Sequence, residues 1–114
     1  MTTATELSFA AGPNGSRVSG LLLRPESARV LYVLAHGAGA GMRHPFLETL
    51  ARALAEREVA TLRYHFPYME WRASRPDPPA VAATTVRAAV AEAARVAQGL
   101  PLVEIGRASC RERV

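Results

Sequence analysis

The chain has 114 residues, of which 49% are apolar and 21% are charged, and these values indicate a single globular domain. The net charge of +4 does not indicate a nucleic-acid-binding surface, because all 14 basic residues are arginines scattered along the sequence. The single cysteine excludes an internal disulfide and a cysteine-based zinc site. No segment resembles an export signal or approaches the roughly 20 apolar residues of a membrane span. We therefore expect a cytoplasmic protein that has neither nucleic-acid nor membrane partners.

The beginning of the sequence predicts a β-hairpin and then a buried strand. Apolar residues alternate within residues 7–9 and 18–22, on either side of the turn-forming sequence Gly-Pro-Asn-Gly-Ser at 12–16. Residues 30–35, Val-Leu-Tyr-Val-Leu-Ala, are apolar without alternation. Such a run is typical of a parallel strand that is covered on both faces.

Helices and strands alternate in the rest of the chain. Leucines at helical spacing predict a helix over residues 45–58, with Pro45 in its first turn and Glu48 paired with Arg52 on its exposed side. Residues 59–64 predict the next strand. An irregular, proline-rich stretch at 66–79 precedes an alanine-rich helix at 80–98, and a last strand begins at Leu102. The order β-β-β-α-β-α-β predicts the α/β class, with a mostly parallel sheet flanked by helices and an antiparallel N-terminal hairpin.

The sequence His-Gly-Ala-Gly-Ala-Gly at residues 36–41, which we term the glycine loop, carries the strongest functional signal. Glycines let the backbone pass close to a ligand, and amides directed at one point stabilise the negative oxygen of a tetrahedral intermediate. The loop resembles the HGGG-type loop after the third strand of α/β-hydrolases, which supplies one of their two oxyanion donors. That resemblance implies an oxyanion hole with substrate-binding residues Gly37, Ala38 and Gly39, and Ala38 as the main amide donor. His36 is expected to orient the loop and not to act as a base.

Other glycine-rich motifs fit the loop less well. A dinucleotide-binding fingerprint requires a third glycine where Met42 stands, and an acidic residue near the end of the next strand, where the chain has Arg-Tyr-His at 63–65. A phosphate-binding P-loop requires a lysine, which the sequence lacks. A flexible turn without any function stays open as an alternative.

Two further groups of residues are candidates for a site. The spacing of His36, His44 and His65 fits no helical pair of metal ligands, so we expect no metal site and no cofactor. Four aromatic residues are candidates either for an acyl pocket or for the core, and we expect two of them in the core. These four are Tyr64, Phe66, Tyr68 and Trp71.

Three segments taken together carry a resemblance to a known family: residues 36–46, 61–70 (Thr-Leu-Arg-Tyr-His-Phe-Pro-Tyr-Met-Glu) and 75–79 (Arg-Pro-Asp-Pro-Pro). Over about residues 6–103 the chain resembles bacterial α/β-hydrolases related to dienelactone hydrolase, in the branch with a KANL/Tex-type hydrolase-like domain. The resemblance implies a doubly wound sheet and hydrolysis of an ester or related acyl bond. It also implies a serine nucleophile in a Gly-x-Ser-x-Gly-like turn after the next strand, followed by an acidic residue and a histidine.

The sequence departs from this pattern after Val103. Ser109 has Arg107 two residues before it and Arg111 two residues after it, where the nucleophile turn requires small residues. Residues 105–114 resemble the translation of a widely used sequencing-library adapter. We therefore expect residues 1–103 to form a partial α/β-hydrolase domain, truncated after the start of the fifth strand, and residues 104–114 to be a non-native tail.

These observations predict a fragment of a serine hydrolase that lacks its nucleophile, acid and histidine. We expect the fragment to be inactive and only marginally stable, and the full-length protein to act on a small-molecule ester. The alternative is a non-catalytic interaction or scaffold module built on the same fold. A weaker alternative is a small-molecule-binding protein that uses the glycine loop as an anion site.

Overall fold

The computed structural model describes residues 4–11, 15–35, 42–70 and 77–105, and for residues 104 and 105 the backbone alone. Apart from one additional short helix, the strands and helices follow the predicted order along these residues. The strands are β1 (Thr5–Ala10), β2 (Arg17–Leu23), β3 (Val30–Ala35), β4 (Val59–Tyr64) and β5 (Leu102–Ile105). The helices are α1 (Pro45–Ala55), α2 (Pro67–Glu70) and α3 (Pro79–Val96).

The five strands form one mixed sheet in the order β1-β2-β4-β3-β5. Strand β3 pairs in parallel with β4 on one side and with β5 on the other, while β2 pairs antiparallel with both β1 and β4. The turn between β1 and β2 includes Gly15, whose φ of +75° is a conformation that glycine adopts without strain. The predicted α/β class and the predicted antiparallel hairpin are therefore confirmed.

Helix α3 covers one face of the sheet. Alternate residues of β3 and β4 point to this face, because successive side chains of a strand lie on opposite sides. Val86, Ala89 and Ala93 of α3 pack on them, and the two alanines let the helix lie close to the strands. None of the described helices, including the 18 residues of α3, combines the length and hydrophobicity needed to cross a membrane. The buried strand residues on this face are Leu31, Val33, Ala35, Ala60, Leu62 and Tyr64.

Helix α1 covers the opposite face and packs against β4. Pro45 occupies the first helical position, as predicted, and the side chain of His44 caps the helix by accepting a hydrogen bond from the amide of Phe46. Val33 and Leu34, which point to opposite faces of β3, are both buried. The strand is therefore covered on both faces, as its uninterrupted apolar sequence predicts.

The boundaries of both longer helices differ from the predicted ones, and one short helix is additional. Helix α3 begins one residue and ends two residues earlier than predicted. Helix α1 ends at Ala55, three residues earlier than predicted, and Glu58 follows with a φ of +66°. The stretch predicted to be irregular contains the short helix α2. Strand β5 begins at Leu102, as predicted, and continues to Ile105. The non-native origin of residues 104–114 stays a prediction.

Candidate active site

Strand β3 ends at the carboxyl edge of the parallel strands, and the glycine loop follows it directly in the sequence. Ala35, the last residue of β3, pairs with Tyr64, the last residue of β4. The two strands therefore end side by side, at the edge where α/β proteins bind ligands. The predicted site residues Gly37, Ala38 and Gly39, together with His36, lie outside the described residues, so their roles stay predictions.

The side chain of Arg63 is buried beside this edge. It lies on the α1 face of β4, with 1% of its side chain exposed. Its Nη1 donates hydrogen bonds to the main-chain oxygen of Met42, at 3.2 Å, and to Oε1 of Glu48, at 2.8 Å. Met42 is itself buried and is the first residue after the glycine loop. A guanidinium group thus connects β4, the end of the loop and the first turn of α1.

Glu48 is the counter-ion of Arg63 and also pairs with a second arginine. Its Oε2 accepts a hydrogen bond from Nε of Arg52, at 3.0 Å, in the i, i+4 pair that the sequence predicts. Hydrogen bonds from Arg63 and then Arg52 hold the pKa of the Glu48 carboxyl below its ordinary value, against a smaller opposing effect of burial. The carboxylate is therefore ionised at neutral pH and balances the buried cation.

A second polar cluster lies where β4 ends and α2 begins. Oε1 of Glu70 accepts hydrogen bonds from the amide of Ser19 and from Nδ1 of His65, both at 3.0 Å, and Oε2 accepts one from Oγ of Ser19, at 2.9 Å. Burial is the largest single influence on the pKa of Glu70 and raises it, but the hydrogen bonds from His65 and Ser19 together outweigh burial and leave the pKa lowered. The cluster fixes α2 against β2.

The aromatic residues of the predicted motif belong mainly to the core. Tyr64, Phe66 and Tyr68 are all buried in the cluster beneath α3, and the ring centroids of Tyr64 and Phe66 are 5.5 Å apart. Phe9 of β1 meets Tyr64 edge-on, with 6.4 Å between the ring centroids. Trp71 lies outside the described residues. Three of the four aromatic residues are thus core residues, one more than expected.

The described histidines occupy structural positions. His44 caps α1 and His65 contacts Glu70, while His36 lies outside the described residues. Among the residues that the structure describes, no group of three or more His, Cys, Asp or Glu side chains comes together to hold a metal ion.

Arg63 and Glu70 are not among the site residues predicted from the sequence. Both stand in the segment 61–70 that carries the resemblance, but neither is assigned a contact from the sequence. A charged residue in the apolar strand Val-Ala-Thr-Leu-Arg-Tyr nevertheless requires a buried partner. For Arg63 the signal is present in the sequence, whereas the contacts of Glu70 with Ser19 connect segments that are 51 residues apart.

Comparisons with known proteins agree with this architecture. The model of a family described as an alpha/beta hydrolase domain matches residues 28–111. No curated protein matches the chain. The chain is similar in fold to a dienelactone hydrolase from Anabaena variabilis, with 20% identity and a TM-score of 0.76 over 92% of this chain and 51% of that one.

Two further solved structures are similar to the chain. An alpha-beta serine hydrolase homologue from Coxiella burnetii has 18% identity and a TM-score of 0.74, over 99% of this chain and 55% of that one. An α/β serine hydrolase without a lid from Xanthomonas campestris has 22% identity and a TM-score of 0.68, over 96% and 52%. The chain therefore spans about half the length of these structures. With its residues 28–111 matched by the family model, the chain belongs to the α/β-hydrolase family.

Proposed function

We propose that this chain is part of a serine hydrolase that cleaves a small-molecule ester or a related acyl bond. The observation that carries the proposal is where strand β3 ends. The strand is covered on both faces and its last residue, Ala35, lies at the carboxyl edge of the parallel strands, directly before the glycine loop in the sequence. Family membership and the similarity to proteins named as a dienelactone hydrolase and a serine hydrolase homologue support it. The proposed reaction needs no cofactor, and we place the protein in the cytoplasm without nucleic-acid or membrane partners.

In the proposed reaction the glycine loop supplies half of the reaction centre. The amides of Gly37, Ala38 and Gly39 surround the carbonyl oxygen of the substrate, and Ala38 donates the main hydrogen bond when that oxygen becomes negative. The other half consists of a serine that attacks the carbonyl carbon, a histidine that removes its proton, and an acidic residue that orients the histidine. These three residues belong to the part of the full-length protein that the 114 residues do not include.

The 114-residue chain alone is proposed to be inactive. None of its serines stands in a Gly-x-Ser-x-Gly sequence, and Ser109 has arginines at both positions that require small residues. We also propose that residues 104–114 are not native. An assay of the chain with a fluorophosphonate probe tests the inactivity directly, because we expect no labelling, and labelled Ser109 would refute the proposal.

The complete reading frame provides the decisive experiment for the parent protein. Recovered from source DNA by long reads, it should encode a serine in a glycine-flanked turn, then an acidic residue and a histidine, and its product should hydrolyse p-nitrophenyl acetate. A reading frame that ends at the same residue 114, or that lacks these three residues, would contradict the proposal and favour a non-catalytic module.

The role of the glycine loop is tested by removing one amide. Ala38→Pro deletes the donor N–H and should lower kcat about 10²–10³-fold. Ala40→Pro is the matched control, since it makes the same change in the same loop but removes an amide that we do not assign to the oxyanion. An equal loss of kcat in the two variants would show that proline disturbs the loop as a whole. That result would contradict a specific role of the Ala38 amide.

A further inference from the structure

We infer that Arg63 is a positioning residue for the glycine loop. It binds the main-chain oxygen of Met42, the residue that follows the loop. The inference rests on the proposed function, because it assigns Arg63 to the alignment of the oxyanion-binding amides. Arg63 itself does not touch the substrate in the proposed reaction. It acts on the reaction centre only through the backbone of Met42.

Both residues that flank the glycine loop are held by neighbouring residues of β4. Ala35, before the loop, pairs with Tyr64 in the parallel ladder. Met42, after the loop, offers its main-chain oxygen to Nη1 of Arg63 at 3.2 Å. Since Arg63 and Tyr64 are consecutive residues of one central strand, the two residues that flank the loop are attached to the same strand.

Burial of the Arg63 guanidinium costs free energy, and packing alone does not explain why an arginine stands here. Its guanidinium is permanently charged and carries five N–H donors, and its side chain is almost completely buried. Within the described residues, Nε and Nη2 have no hydrogen-bond partner. A buried charged pair often stabilises a fold no better than apolar residues of similar size would. An apolar residue on this face of β4 would fill the same space, but it would not donate a hydrogen bond to the main-chain oxygen of Met42.

Glu48 is the counter-ion of Arg63, and it does not depend on Arg63 for its own solvation. Its side chain is 43% exposed, so water solvates the carboxylate if Arg63 is removed. Loss of Arg63 therefore leaves no unpaired charge in the interior, and its effects on stability and on loop position become separable. Catalytic groups must be held within about 0.5 Å of their productive position, so release of Met42 should lower kcat more than it changes KM.

The experiment compares Arg63→Met with Arg52→Met in the complete protein. Each variant removes one of the two arginines that bind Glu48, but only the first removes the donor to Met42. We expect Arg63→Met to lower kcat about 100-fold with KM within about threefold of wild type, while Arg52→Met keeps the wild-type constants. Arg63→Lys, which retains a charged donor, should recover part of kcat.

Hydrogen–deuterium exchange of peptides that cover residues 36–44 gives a second readout that needs no activity. Arg63→Met should exchange at least about tenfold faster there than wild type, and Arg52→Met should not. If Arg63→Met does not fold, Arg63→Lys is compared with Arg52→Met by the same exchange measurement. Equal exchange and equal kcat in the Arg63 and Arg52 variants would overturn the inference. An inactive wild-type protein would instead refute the proposed function, and the exchange data would still decide the role of Arg63.

Discussion

Glu70 and Ser19 are 51 residues apart in the sequence and bind each other through two hydrogen bonds. The amide and the hydroxyl of Ser19 each donate to a different oxygen of the carboxylate, at 3.0 and 2.9 Å. His65 donates from Nδ1 to the same carboxylate, because an ionised carboxylate only accepts. Strand β2, the end of β4 and helix α2 are thereby joined at one partly buried carboxylate.

Replacement of this carboxylate should measurably destabilise the protein. Glu70→Gln keeps the size of the side chain but turns an amide group toward donors, so at least one hydrogen bond is lost. We expect the free energy of unfolding to fall by about 1–3 kcal/mol, measured by urea denaturation of the complete protein.

Glu6→Gln is the matched control for that measurement. Glu6 pairs with Arg43 at 2.7 Å, but both side chains are largely exposed. Exposed ion pairs contribute about 0–1 kcal/mol, so this variant should remain close to wild type. A loss as large as that of Glu70→Gln would contradict the special role of the partly buried cluster.

The lowered pKa values of Glu70 and Glu48 predict a loss of stability in acid. Both carboxyls have folded-state pKa values below the ordinary value of 4.5. Their contribution is therefore present above that ordinary value and is lost as the pH falls through the folded-state values. Free energies of unfolding, measured from about pH 6 to about pH 3, should decline more steeply for wild type than for Glu70→Gln. Parallel curves for the two proteins would contradict this prediction.

Glu58 occupies a backbone conformation that glycine adopts more easily. Its φ of +66° lies in the left-handed region, and the ion pair that its side chain makes with Arg29 is exposed. Glu58→Gly should raise the free energy of unfolding by about 0.5–1 kcal/mol. Glu56→Gly is the control, because Glu56 has a φ of −67°, and glycine should destabilise the protein there. A change of the same sign in both variants would argue against relief of strain at Glu58.

The alanine face of α3 should not tolerate larger side chains. Ala89 is completely buried between the helix and the sheet, whereas Ala91 is exposed on the same helix. Ala89→Leu should lower the free energy of unfolding by about 1–3 kcal/mol, because the added atoms have no space. Ala91→Leu has nearly the same helix propensity and should leave stability unchanged. Similar denaturation midpoints for the two variants would show that α3 packs loosely.

Most of the fold is predictable because its signals are local. Hydrophobic periodicity defines β3, α1, β4 and α3 to within a few residues, and Pro45 marks the start of α1. The end of α1 is predicted too late, because Glu58 continues a helical pattern in sequence but adopts a positive φ. The short helix α2 is not predicted, because it lies in a proline-rich segment. Its contacts with β2, which are distant in sequence, stabilise it.

Short windows of sequence are sufficient for the class of the fold, for the position of the glycine loop after a buried strand, and for the resemblance to α/β-hydrolases. The contacts of Arg63 with Met42 and Glu48, and of Glu70 with Ser19 and His65, are visible only in the folded chain. They depend on strand register and on which face of a strand a helix covers. Pairing between segments that are distant in sequence determines both, so a local pattern can indicate that Arg63 needs a partner but not which residues bind it.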